Sequence, residues 1–242
     1  MNKYQSVKTF FFCILVFLGC GNVSAGGEEE PISIEQQVEG LWLYTGLITS
    51  DGKDLPLNGI FLFKDGAFVQ YAEFNGEPIK DQGAMAHSGS YSAGEEFIHL
   101  LAGQTISTAP LESPPLTSQG VTEHDLAVSR SGDELTLTFS KGTGTVQIFE
   151  LVGPGSGEVY KLKNGALAFV DDYFILVDES ENGVNAGYGT FEKNQGSIKL
   201  NINRWTEADH SAASNLYDTS MKASFDGQSL ILEDGRSFQV IP

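Results

Sequence analysis

Few side chains in this 242-residue sequence have chemistry to offer: four histidines, an arginine–tryptophan pair and two acidic stretches, of which Glu28-Glu29-Glu30 reads as a solvated charge run. His87, His99, His124 and His210 are scattered, and no two stand at the spacings with which metal sites gather their ligands. No HExxH, Walker or nucleophile-elbow pattern is present, so metal, nucleotide and acyl-transfer chemistry lack support and no cofactor is expected. Asp178-Glu179-Ser180-Glu181-Asn182-Gly183 carries oxygen ligands that calcium would accept, but without EF-hand order it reads as an exposed acidic turn. Arg204-Trp205, with His210 close behind, sets a flat apolar ring beside a cation. That pair suits capture of an amphipathic ligand, or Trp205 simply plugs its own domain. His87, His124, Arg204, Trp205 and His210 are therefore the ligand-binding candidates, while His99, between Phe97 and Leu101, reads as a buried structural histidine. An acid–base enzyme would instead need His87, His99 or Tyr71 to face inward beside a polar neighbour.

The elements that must position these residues are strands. Glycine and aromatic residues are spread along the chain, helical periodicity is absent, and period-two alternation recurs, as in Leu135, Leu137 and Phe139 against Thr136 and Thr138. The hairpin Leu57 to Tyr71, two apolar runs around Lys64-Asp65-Gly66, recurs at Lys163 to Val177. Asn58, Gly59, Phe63, Asp65 and Phe68 align with Asn164, Gly165, Phe169, Asp171 and Phe174, and such self-similarity indicates one β unit used twice. The first copy reads as strands at 40–48, 59–64, 67–74, 87–92, 96–101, 123–129, 134–139 and 145–151. The second reads as strands at 158–162, 166–170, 173–178, 187–191, 197–202, 219–225, 229–233 and 237–241. In the first copy tight connections alternate with long ones, at Thr49 to Asn58, Asn75 to Ala86 and Ala102 to Thr122. The second largely keeps that parity, with long third and fifth connections at Glu179 to Ala186 and Asn203 to Asp218. Successive connections of an antiparallel meander alternate between its ends, so each copy should have one closed end and one loop-rich mouth.

Gly40-Leu41-Trp42, opening the first strand of such a meander, resembles the Gly-x-Trp of lipocalins and their calycin relatives. The resemblance implies all-β architecture: two tandem small antiparallel meander β-barrels of about eight strands each, whose interiors hold small lipophilic molecules. No arginine on the first copy's last strand is available to pack on Trp42, and no flanking helix is evident. At the N-terminus Lys3 and Lys8 precede the apolar run Phe10 to Leu18, which is too short for a membrane span and reads as an export signal. Phe17-Leu18-Gly19-Cys20 resembles a bacterial lipobox, which implies lipidation of Cys20 and, with Gly21 following, an outer-membrane lipoprotein. Secretion with cleavage after Val23-Ser24-Ala25 is the alternative.

The expected layout is a signal peptide at 1–19, a lipidated acidic tether at 20–35, one barrel at 36–152, a Gly/Pro linker at 153–157 and a second barrel at 158–242. Cys13 and Cys20 both precede the folded part, which therefore has no disulfide. A net charge of −18 makes nucleic acid an unfavourable partner and leaves the N-terminal lipid as the route to a membrane. The expected function is a non-catalytic cell-envelope lipoprotein that binds a small lipophilic or amphipathic molecule. An isomerase- or cyclase-type enzyme and a protein-interaction module are the alternatives. Barrels packed solid by Phe61, Phe63, Phe68, Phe169 and Phe174 would argue against binding.

Overall fold

A computed structural model of the chain describes residues 32–242 apart from 75–82, 140–143, 181, 182 and 195. The export signal, the acidic tether and Cys20 thus lie outside the described residues. Helix α1 (Ile34–Val38) leads into β1 (Gly40–Ile48), β2 (Asp54–Leu55), β3 (Leu57–Lys64), β4 (Ala67–Phe74), β5 (Ala84–Ala93), β6 (Phe97–Thr108), β7 (Leu116–Gln119), β8 (Thr122–Ser131), β9 (Glu134–Phe139) and β10 (Val146–Gly153). Then follow β11 (Gly157–Leu162), β12 (Gly165–Val170), β13 (Tyr173–Ser180), β14 (Gly183–Asn194), β15 (Ser197–Ala208), β16 (Ala213–Phe225), β17 (Ser229–Leu232) and β18 (Ser237–Gln239). All pairings are antiparallel. Eight strands of the first half form a barrel that β10 closes on β1, with β2 and β7 as short additions at the mouth. The eight strands of the second half run in sequence order, and a single bridge from Leu162 to Val240 nearly closes them. Two antiparallel barrels in tandem, as the alternation implied, are what the chain forms.

The base of the first barrel has two features that the sequence did not suggest. Helix α1 exists: Ser33 and Gln36 form a reciprocal capping box, and Val38 and Ile34 pack into the apolar core of the barrel. Trp42 donates its indole N–H to the Val38 carbonyl at 2.7 Å. An arginine also covers Trp42, but it is Arg130 on β8, 5.0 Å from the ring centroid and bonded to the Gln37 carbonyl at 3.2 Å. The cation therefore reaches the tryptophan from a strand other than the last one.

The duplication is visible in the pairing. Phe63 faces Phe68 across the first hairpin as Phe169 faces Phe174 across the second. β5 and β6 slip register between Ser88 and Gly89, and β14 and β15 slip between Tyr188 and Gly189. In both copies one residue bulges, Gly103 or Asn203, and the inward phase of the strand inverts there. The two glycines opposite are required by close backbone approach. A Cβ on Gly89 would lie 2.0 Å from the Leu101 carbonyl oxygen, and one on Gly189 would lie 1.9 Å from that of Asn201.

The barrels are not beads on a linker. The outer faces of β4, β5 and β6 pack against those of β12, β13 and β14, and Ile60, Leu62, Val69 and Tyr71 share one buried cluster with Ala168, Ile175, Val177 and Tyr188. Residues 154–156 connect the barrels. The Asp171 carboxylate accepts the backbone N–H groups of Gly155 and Ser156, the latter at 3.0 Å, so this connector is pinned to the second barrel.

Candidate functional site

The interiors of the two copies differ, although their backbones correspond. In the first barrel Trp42, Phe63, Tyr91, Leu135 and Phe149 fill the closed end, and Phe61, Phe68, Leu100 and Leu126 form a floor above them. Above that floor lies a cavity of about 650 Å³ reaching the mouth, where Leu47, Leu55, Phe74 and Met85 make an apolar rim. At mid-depth runs a polar belt of Gln70, His87, Thr105, His124 and Gln147, one residue from each of five strands. Among the described residues no aspartate, glutamate, lysine or arginine lines this cavity, although the chain as a whole carries −18.

Within the belt the hydrogen bonds are ordered. Gln70 Nε2 donates to the Tyr44 hydroxyl, and Gln70 Oε1 lies 3.0 Å from His87 Nδ1. An amide oxygen only accepts, so Nδ1 carries the proton and Nε2 is left with its lone pair. Burial, with His124 a smaller cause, pushes the His87 pKa down to about 4. Burial also lowers that of His124, whose ring centroid stands 6.2 Å from that of His87. Both rings are neutral at ordinary pH. The Thr105 and Thr122 hydroxyls lie 2.7 Å apart, and Thr105 is the cross-strand partner of His87.

Strand pairing identifies what the second copy places at these positions. Gln70, His87, Thr105, His124 and Gln147 correspond to Leu176, Gly187, Trp205, Met221 and Phe238. Trp205 is 0% exposed and lies so close over Gly187 that a Cβ there would meet its ring at 2.8 Å. Its indole donates to Glu207 at 2.9 Å, and Arg236 stacks over it at 5.6 Å while paired with Glu207 and Asp234. With Phe169, Phe174, Leu200 and Phe238 the second interior is filled.

Of the five residues singled out from sequence, the structure brings together His87 and His124 in the first lumen. Trp205 is the plug of the second barrel, the second of the two roles open to it. Arg204 and Trp205 do not lie in a long loop, because β15 continues to Ala208 and only 209–212 turn. Arg204 points outward, 3.6 Å from Asp218 and over the Tyr217 ring, and His210 is exposed on the turn. His99 is a correction: it faces out on β6 and bonds Asp125 at 2.7 Å instead of being buried. Tyr71 also points away from the lumen, into the seam between barrels, where it donates to the fully buried Glu73 at 3.0 Å and lies 2.8 Å from Thr206 Oγ1. Gln70, Thr105 and Gln147 went unremarked in the sequence. For Gln70 and Gln147 the signal was available, since each is a polar residue in the inward phase of an otherwise apolar strand, whereas Thr105 lies beyond the bulge where that phase inverts.

Two further hollows lie outside this lumen, the first with a mixed wall that includes Phe68, Leu101, Val159 and Leu162, the second more polar and open. A cavity of about 670 Å³ in the cleft between barrels is walled by Lys64, Lys161, Lys163, Glu158 and Gln104, and a groove of about 490 Å³ runs past Arg236 and Asp209. Among the described residues no group of three or more His, Cys, Asp or Glu side chains is gathered as a metal would need. No family model matches the chain, and no curated protein or solved structure matches it. The site must therefore be read from its own chemistry.

Proposed function

We propose that the protein is a binding protein whose first barrel receives a small lipophilic or amphipathic molecule and whose second barrel is a filled buttress. The observation that carries this reading is the contrast at one structural position, where Thr105 and His87 border a cavity of about 650 Å³ while Trp205 and Gly187 close the equivalent space. A concave, mostly apolar hollow with a few convergent polar groups suits a small organic ligand. His87, inward and bonded to Gln70, also has the placement an acid–base enzyme would need. An imidazole held at about 4 is a weak base, and that favours binding over catalysis. Lys3, Lys8, the apolar run and Phe17-Leu18-Gly19-Cys20 support export and lipidation at Cys20, which would hold the receptor at the cell envelope, on the outer membrane in a bacterium that has one.

The test copies the second barrel's solution into the first. Titration with the apolar fluorophore N-phenyl-1-naphthylamine should saturate at one site per chain in the wild type. It should fail in the double variant His87→Gly/Thr105→Trp, which circular dichroism should show to be folded. A wild type that binds no probe, or a folded double variant that still binds it, would overturn the reading.

A further inference from the structure

The belt specifies the ligand more closely than the word amphipathic does, and the inference rests on the first barrel being the binding site. Three features converge at mid-depth. The wall offers no formal charge among the described residues, so a carboxylate, phosphate or ammonium brought there would lose hydration without gaining a counter-charge. The groups it does offer are not interchangeable, because Gln70 has its amide nitrogen on Tyr44 and its oxygen on His87. The relay fixes the His87 tautomer and leaves Nε2 on the cavity wall as an acceptor in need of a donor. Finally, the belt has apolar surface on both sides, with Phe61, Phe68, Leu100 and Leu126 below and Leu47, Leu55, Phe74 and Met85 above. A ligand with its polar group at the mouth would leave the belt unpaired, whereas one with a polar group carried inward would match it.

We infer that the first barrel selects uncharged amphipaths bearing a hydroxyl group, that is aliphatic or alicyclic alcohols, whose O–H donates to His87 Nε2 at mid-depth while the hydrocarbon fills the apolar floor and rim. The hydroxyl oxygen is then free to accept from the neighbouring Thr105–Thr122 pair or from His124, whose ring centroid is 6.2 Å from that of His87. Selectivity follows from the buried acceptor, since a ligand that cannot donate leaves Nε2 unpaired out of water.

The experiment is competition against the same fluorophore with four probes of one chain length: decan-1-ol, 1-methoxydecane, decanoate and decylammonium, at a pH where the acid is ionised and the amine protonated. Decan-1-ol should compete about tenfold better than the ether and better still than either ion. In His87→Phe, which keeps a ring and removes the acceptor, the ratio of alcohol to ether competition should fall to about one, whatever the variant's own affinity for the fluorophore. The wild-type order alone decides the matter if that variant does not fold. Equal competition by alcohol and ether in the wild type, or tighter binding of decanoate or decylammonium, overturns the hydroxyl inference and leaves the lumen as a binding site. Failure of the wild type to bind the fluorophore or any of the four probes would remove both.

Discussion

His87 is a histidine that cannot afford its charge, and this has a measurable sign. Its pKa is about 4 in the folded protein against 6.5 for the free side chain, so as pH falls below about 6.5 the unfolded chain takes up the proton first and stability is lost until about pH 4. Burial of His124 acts in the same direction. Two carboxyls act oppositely: Glu73, raised by burial in the seam, and Asp178, pushed up to about 7 by burial and Glu179, are each better tolerated protonated, and so favour the fold as pH falls. Comparison with a variant isolates the histidine. Between pH 7 and pH 4.5, urea unfolding of the wild type should lose on the order of 2 kcal/mol more than that of His87→Gln. Equal losses would mean that His87 is solvated in the folded protein.

Among the elements, the bulged strand pair β5–β6 and its copy β14–β15 explain both what was legible and what was not. Each of the sixteen expected strands is present, several with identical limits, because apolar and polar residues alternate along most of them while β3 and β12 carry continuous apolar runs. The expected strands ending at 101 and 202 stop just short of Gly103 and Asn203, where the phase inverts. Beyond the bulge, Thr105 and Trp205 continue their strands on the inward face, but without the period that announced them. Trp205 thus read as a loop residue, and Thr105 was not singled out at all. The glycines facing the bulges give this a test. Gly89→Ala and Gly189→Ala press a methyl group into backbone carbonyls and should each cost about 3 kcal/mol or more in urea unfolding. Gly46→Ala, whose Cβ would rest 3.6 Å from the Ile148 side chain, should cost within about 1 kcal/mol. Similar losses at all three positions would contradict the bulge geometry.

For the molecule as a whole, the seam between barrels turns two small domains into one packed body. Its signal in the sequence was the uninterrupted run Ile60-Phe61-Leu62-Phe63, echoed by Ala166-Leu167-Ala168-Phe169, since a strand that is apolar at every position is buried on both faces. Phe61 and Phe63 turn into the first lumen, while Ile60 and Leu62 turn to the second barrel. The division of labour follows: one copy keeps a hollow, and the other gives up its hollow to Trp205 and supports the first. The location of a bound ligand tests this most directly. Crystals grown with 10-bromodecan-1-ol should show one anomalous bromine peak per chain, inside the first barrel between the Phe61–Leu126 floor and the Phe74–Met85 rim. A peak in the second barrel or in the lysine-walled cleft, or none at saturating ligand, would contradict the account.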